Sequence, residues 1–108
     1  MSENGMDAVY RTLANRAWET NRGRAAELAE LVAEWDRTGA LAAERREHGR
    51  ALAHSLRGSA GTFGHDAAAD AADELERLLV AGEVSVEVVG ELVARIEADL
   101  SRAPELML

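Results

Sequence analysis

The chain has 108 residues, of which 47% are hydrophobic and 30% charged, a length and composition typical of one soluble globular domain. Its 20 acidic and 12 basic residues give a net charge of −8, which disfavours binding to nucleic acid or to anionic lipid. No apolar run approaches the roughly 18 residues of a membrane span, and the absence of cysteine excludes disulfides, thiolate chemistry and cysteine-bound zinc.

The first predicted element is a long helix from about Asp7 to Thr38. The chain is rich in alanine, the best helix former, and apolar residues in this segment recur at mostly three- and four-residue spacings. Gly23 interrupts the pattern, and since a glycine inside a helix costs about 1 kcal/mol, the segment is either one kinked helix or two. Gly39 predicts its end. The apolar positions are Val9, Leu13, Ala17, Ala25, Leu28, Val32 and Trp35.

Two shorter amphipathic helices are predicted next. The second runs from about Ala40 to Phe63, with Gly64 at its end. The third runs from about Ala67 to Ala81, where Asp66 supplies an N-cap oxygen and Gly82 ends the helix. Each has one apolar face to bury. That of the second helix comprises Leu52, Leu56, Ala60 and Phe63, and that of the third Ala68, Ala71, Ala72, Leu75, Leu78 and Leu79.

The fourth predicted helix begins after Ser85, although the alternating valines around this residue also resemble a strand. We favour the helix because Ser85 can cap it and because Val84 and Val89 have the spacing of a hydrophobic staple. Pro104 limits its extension, and we expect residues 105–108 to fray. The helical pattern continues through Leu92, Val93, Ile96 and Leu100.

These elements predict an all-α protein, an antiparallel up-and-down four-helix bundle formed by a single domain over residues 1–108. Short connections between amphipathic helices favour antiparallel neighbours. The bundle is expected to occupy about residues 7–102, with frayed ends.

The second predicted helix carries a histidine and two glycines on the side away from its apolar face. At about 100° per residue, His54, Gly58 and Gly61 fall at about 200°, 240° and 180° from the first core leucine, whereas the apolar residues lie within about 80° of it. Because each mid-helix glycine costs about 0.5–1 kcal/mol relative to alanine, the pair is expected to clear the approach to an exposed imidazole. Arg50 and Arg57, at about 160° and 140°, would add positive charge. Such a surface suits a group that accepts a phosphoryl moiety from another protein.

The segment around this histidine, residues 53–64 (Ala-His-Ser-Leu-Arg-Gly-Ser-Ala-Gly-Thr-Phe-Gly), resembles the signature of histidine-containing phosphotransfer (HPt) domains. That signature reads His-x-Leu-Lys-Gly-Ser-Ala-x-x-x-Gly and lies on the second helix of an up-and-down bundle. The chain is similar to the phosphotransfer domain of chemotaxis-type histidine kinases and to small stand-alone phosphotransfer proteins. The strong similarity covers about twelve residues, with a weaker one over residues 73–79, and the bundle pattern fits most of the chain.

The resemblance implies a role for each matching residue. His54 would be the phosphoryl acceptor, reacting through Nε2, and Gly58 would clear access to the ring. Arg57 stands where the family usually has lysine, which keeps the charge but replaces a point ammonium by a planar fork. Glu76 matches a third-helix carboxylate that accepts a hydrogen bond from Nδ1–H, fixing the tautomer and raising the basicity of the ring. The sequence contains no lysine at all, so the exchange at Arg57 follows the composition of the chain.

The expected function is that of a phosphocarrier in a two-component phosphorelay. The histidine would accept a phosphoryl group from a receiver aspartate or a histidine kinase and pass it to a response-regulator aspartate. The chain is not expected to be an enzyme, to have an ATP site, or to hold a metal or cofactor; Mg²⁺ is expected on the partner receiver domain. A cytoplasmic monomer is expected, since residues 1–5 lack the features of a signal peptide. The opening Met1 favours a chain that works alone.

Other interpretations remain open beside this one. The main alternative is a non-relaying helical adaptor that docks on a receiver or kinase and regulates it. A nucleotide-binding glycine loop is disfavoured because G-x-x-G-x-x-G lacks both the required spacing and a preceding strand. His48, His54 and His65 are spaced by 6 and 11 residues, which places no two rings on one helical face for a metal. We expect His48 to be solvated, His65 to lie in the turn before the third helix, and Trp18 and Trp35 to be packing residues.

Overall fold

The computed structural model describes residues 5–82 and 84–104, which form four α-helices. They are α1 (Gly5–Thr38), α2 (Ala43–Thr62), α3 (Asp66–Ala81) and α4 (Val86–Leu100). Contacts join α1 to α2, α2 to α3, α3 to α4 and α4 back to α1, so the helices form a closed bundle. The predicted all-α four-helix bundle is therefore confirmed. The fraying predicted for residues 105–108 lies outside the described residues.

The helix α1 is a single continuous helix of 34 residues, so the alternative of two separate helices is wrong. Gly23 lies inside it, where an added Cβ would meet nothing within 4 Å. Asn21 and Ala25, on either side of Gly23, are both buried. Packing on both sides of the glycine thus holds the helix together despite its low helix propensity.

The N-terminal part of α1 extends beyond the other three helices. At 1.5 Å per residue α1 is about 51 Å long, and the molecule measures 58 × 22 × 20 Å. Val9 and Leu13, which the apolar pattern placed on the core face, are about half exposed, because the side of α1 that meets the bundle here is that of Tyr10 and Ala14. Ala14 is the first fully buried residue of α1.

The core is built from leucines and alanines of all four helices. Alanine allows the helix backbones to approach closely, while the leucines and valines fill the space between them. Phe63 is an exception to the predicted core face: α2 ends one residue before it, so its ring leaves the helical register and packs on Tyr10 with ring centroids 5.9 Å apart. The largest fully buried apolar side chains are Leu28, Leu31, Leu56, Leu75, Leu79, Val89, Ile96 and Leu100.

The start of α3 differs from the prediction. Asp66 is the first residue of the helix rather than its N-cap, and His65 occupies the cap position without a side-chain capping bond. The carboxylate of Asp99, on α4, instead accepts a hydrogen bond of 2.8 Å from the backbone N–H of Ala68. The cap is therefore supplied by a neighbouring helix, because Asp99 is buried at the end of α4 that lies beside the start of α3.

The start of α4 confirms the prediction. The hydroxyl of Ser85 accepts a hydrogen bond of 3.2 Å from the backbone N–H of Val88. Val84 packs against the core, and Val89 is buried in it.

The second helix begins three residues later than predicted, at Ala43, because Ala42 has an extended backbone with φ −64° and ψ 150°.

We expect Asp99→Ala to lower the free energy of unfolding by about 1–2 kcal/mol, because it removes the acceptor that satisfies the Ala68 N–H. Urea denaturation followed by circular dichroism measures the change. Asp70→Ala is the matched control, since Asp70 is an exposed aspartate of α3, the helix whose start Asp99 caps. Equal stability of Asp99→Ala and Asp70→Ala would contradict the capping role.

Candidate functional site

The imidazole of His54 is exposed on the outer side of α2. Its side chain retains 56% of its accessible surface, whereas its neighbours Ala53 and Leu56 are buried in the core. Packing of these neighbours fixes the rotation of α2 about its axis, and that rotation directs the ring away from the core. The ring therefore lies where the helical projection predicted it.

Glu76 of α3 holds one nitrogen of this ring. His54 Nδ1 lies 3.0 Å from Oε2 and 3.2 Å from Oε1 of the carboxylate, whose side chain is only 16% exposed. A neutral ring with its proton on Nδ1 donates to this carboxylate and keeps a lone pair on Nε2. Among the described residues Nε2 has no hydrogen-bond partner. The contact thus favours the tautomer in which Nε2 is the free nucleophile.

The two glycines next to His54 have different surroundings. A Cβ at Gly58 would meet nothing within 4 Å, so this position leaves open space one helical turn from the ring. A Cβ at Gly61 would lie 3.5 Å from the Cβ of Ala69 on α3. Both glycines are exposed, as predicted, but Gly61 also borders the start of α3, which packs beside the end of α2. Gly58 is the one of the two with open space around it.

Both predicted arginines are engaged by carboxylates. Arg57 Nη1 lies 3.3 Å from Asp73 Oδ1, and its Nε lies 3.8 Å from Glu76 Oε1. Arg50 binds Glu47 through its fork, with a shortest distance of 2.7 Å, and reaches Glu76 Oε2 at 3.3 Å. The sequence suggested that both arginines present free positive charge. In the structure they instead belong to an ion-pair network between α2 and α3.

The hydrogen bond between Arg50 and Glu47 shifts the pKa values of both side chains. The side-chain hydrogen bond from Arg50 lowers the pKa of the Glu47 carboxyl, and the same bond raises the pKa of Arg50. Both groups are therefore charged at neutral pH, and the pair persists across the physiological pH range.

A shallow groove of about 390 Å³ adjoins the ring between α2 and α3. Three of its residues were not identified from the sequence, namely Asp73, Arg77 and Val80. Asp73 and Val80 lie three residues before and four after Glu76, and Arg77 lies four after Asp73, where it pairs with that carboxylate; such spacings place residues on one side of a helix and could have indicated them. The lining residues are His54, Arg57, Asp73, Glu76, Arg77 and Val80.

A larger groove of about 490 Å³ lies between α1 and α4. Its polar lining residues are Glu19, Arg22, Glu97 and Ser101, with no histidine among them. We therefore place the reactive chemistry at the smaller groove, where an imidazole is present.

The other two histidines lie apart from this site. His48 Nε2 is 3.1 Å from Glu27 Oε1 across the α1–α2 seam, and its side chain is about half exposed. His65 lies in the turn before α3 as predicted, but it is buried, and its Nε2 donates to the backbone carbonyl of Arg102 at 2.9 Å. Within residues 5–82 and 84–104 no group of three or more histidine, aspartate or glutamate side chains is arranged to hold a metal ion.

Comparison with known protein families identifies the class of the molecule. A family model described as the Hpt domain matches residues 16–105, which include all four helices apart from the first part of α1 and every residue of the site. The chain therefore belongs to the Hpt domain family. No curated protein and no solved structure matches it.

Membership of this family places the chain in histidine phosphotransfer within phosphorelay signalling. Hpt domains are carrier modules for phosphoryl groups rather than catalytic domains, and they interact with receiver domains and kinases. None of the helices in the described part of the chain has the length and apolar character needed to cross a bilayer.

Proposed function

We propose that this chain carries a phosphoryl group on Nε2 of His54, accepting it from a receiver aspartyl phosphate or a histidine kinase and passing it to a response-regulator aspartate. One observation carries the proposal: Nδ1 of the exposed imidazole lies 3.0 Å from the Glu76 carboxylate, which leaves Nε2 as the nitrogen without a partner among the described residues, and there is open space at Gly58 one turn away. A nucleophile that must meet an atom held by another protein needs this combination of orientation and access.

The bond-making step involves the ring of His54 and the carboxylate of Glu76 on this chain. The Nε2 lone pair attacks phosphorus, and an Nε2–P bond forms as the P–O bond to the donor aspartate breaks, its electron pair leaving on the carboxylate oxygen. The proton stays on Nδ1, so the phosphorylated ring carries a positive charge. Glu76 lies 3.0 Å from that nitrogen and stabilises this charge as it develops. Transfer to the next receiver reverses these steps.

The negative charge of the phosphoryl group is stabilised by cations, which this chain and the partner receiver can both supply. Arg57 and Arg77 both line the groove; Arg57 lies on the same helix as His54, and its side chain is 46% exposed. Its contact with Asp73 is at the long end of the hydrogen-bond range at 3.3 Å. We propose that its planar fork turns from Asp73 to the phosphoryl oxygens, and that Mg²⁺ and the acidic pocket belong to the partner receiver.

Phosphotransfer profiling tests the proposal against the adaptor alternative. The purified chain is incubated with a panel of ³²P-labelled receiver domains and, separately, with active histidine kinases and ATP. We expect an acid-labile, alkali-stable label on this chain, as a phosphohistidine requires. Stable binding to a receiver or kinase without any label on the chain would instead support the adaptor.

We expect Glu76→Ala to slow phosphorylation of His54 about tenfold without abolishing it, because the ring loses the group that orients it and stabilises its charge. The initial rate of label transfer from a phosphorylated receiver measures the effect. Glu74→Ala is the matched control, since Glu74 is exposed on the same helix and does not line the groove. A wild-type rate in Glu76→Ala would show that Nδ1 needs no carboxylate.

A further inference from the structure

The carboxylate of Glu76 is shared between the reactive ring and two guanidinium groups. Its Oε2 accepts from His54 Nδ1 at 3.0 Å and from Arg50 Nη1 at 3.3 Å. Its Oε1 lies 3.2 Å from the same ring nitrogen and 3.8 Å from Arg57 Nε. The position of this carboxylate therefore depends on more than its contact with the imidazole.

Arg50 is itself held in place by Glu47, one turn earlier on α2. Its Nε lies 2.9 Å from Oε2 and 3.1 Å from Oε1 of Glu47, and its Nη2 lies 2.7 Å from Oε1. The remaining nitrogen, Nη1, points across to α3 and meets Glu76. A guanidinium bound on two of its edges has little rotational freedom, so Arg50 is a rigid bridge from α2 to the carboxylate.

Arg57 does not provide the same support. Its Nε is 3.8 Å from Glu76, beyond hydrogen-bond distance, and its fork contacts Asp73. Its side chain is also more exposed than that of Arg50, at 46% against 32%. The two arginines thus have different surroundings: Arg50 is held between Glu47 and Glu76, and Arg57 lines the groove and contacts Asp73.

We propose that Arg50 is a positioning residue for the phosphoryl acceptor, acting through Glu76 on the orientation and tautomer of the His54 ring; this inference rests on the proposed function. With Arg50 bound, Oε2 is held where it accepts Nδ1–H, and the Nε2 lone pair points outward. Without Arg50, Glu76 is free to leave the ring for Arg57 or for solvent, and the proton then distributes between Nδ1 and Nε2. A ring protonated on Nε2 has no lone pair there to attack phosphorus.

Three variants separate this role from a merely structural one. Arg50→Met keeps the length and the apolar stem but removes the bridge, and Arg50→Lys keeps the charge but not the fork. Arg45→Met is the matched control, since Arg45 lies on the same helix and pairs with Glu34 of α1, away from the groove. Both arginine side chains are partly exposed, and thermal unfolding checks that each of the three variants folds.

The first measurement needs no partner protein. Long-range ¹H–¹⁵N correlation spectra report which ring nitrogen carries the proton, and His48 on the same helix serves as an internal reference. We expect His54 to carry its proton on Nδ1 in the wild type and in Arg45→Met, and to shift towards a mixture of tautomers in Arg50→Met while His48 is unchanged. An unchanged His54 spectrum in Arg50→Met would overturn the inference, whether or not the chain relays phosphate.

The second measurement is kinetic and uses phosphoramidate, a small phosphoryl donor that requires no docking. We expect Arg50→Met to slow phosphorylation of His54 about fivefold, Arg50→Lys to recover part of the rate, and Arg45→Met to match the wild type. In the Glu76→Ala background, Arg50→Met should cause no additional loss, because both act through one carboxylate. A further loss in that double variant would show that Arg50 does not act through Glu76. Absence of any label on the wild-type chain would count against the proposed function, leaving the ring spectra to decide the role of Arg50.

Discussion

Replacing His54 by glutamine is expected to remove the phosphoryl label completely, a loss of more than about a thousandfold in transfer rate, because the other two histidines lie apart from the groove, His48 beside α1 and His65 buried. Glutamine keeps a polar amide near Glu76 but has no nucleophilic ring nitrogen. The side chain at this position is 56% exposed, so the substitution disturbs no core packing. The measurement is autoradiography of the chain after incubation with a labelled receiver or kinase.

The matched control for this experiment is His48→Gln. His48 lies on the same helix α2, is similarly exposed and also pairs with a glutamate, Glu27. We expect this variant to be labelled like the wild type. Label that persists in His54→Gln, or that disappears in His48→Gln, would show that the acceptor is a different residue.

Gly58→Leu is expected to slow transfer from a protein donor by about a hundredfold or more while leaving the fold intact. A leucine on a helix directs its side chain back over the residue four positions earlier, which here is His54. The position has open space around it, so the new side chain fits without a clash, and loss of a mid-helix glycine stabilises α2 by about 0.5–1 kcal/mol. The initial transfer rate and the unfolding midpoint are measured on the same sample.

Gly23→Leu provides the matched control for this steric effect. Gly23 is also a mid-helix glycine with nothing within 4 Å of an added Cβ, but it lies on α1 beside the groove with α4. We expect the same gain in stability with an unchanged transfer rate. Transfer from Gly58→Leu at the wild-type rate would refute the view that this glycine exists for access.

The helices themselves could be predicted from the sequence because each has its own apolar period and its own end signal. The Ser85 cap and the helix end at Gly82 are local features, and local features are what a sequence shows directly. The continuity of α1 and the capping of α3 by Asp99 could not be predicted in this way. Both depend on what a neighbouring helix contributes, and such contacts have no signature within the segment they stabilise.

The features of the site can also be separated into those that depend on one helix and those that depend on a neighbouring helix. The exposure of His54 and the open space at Gly58 follow from helical periodicity within α2 alone. The pairing of Arg50 with Glu76 depends on the register between α2 and α3, which the sequence does not reveal, and the same register places Gly61 against Ala69. The closeness of Glu76 to the ring was expected only from the resemblance to the family, since Glu76 by itself is one of many helix carboxylates.

The open surroundings of the His54 ring also bear on how long a phosphoryl group can stay there. Groups that protect a labile bond from hydrolysis do so by excluding water, and in the described part of the chain no side chain fills the space beside Gly58. Shielding of the phosphorus from water must therefore come from a bound receiver or kinase. Between encounters, the phosphoryl group would be held only by the intrinsic stability of its N–P bond.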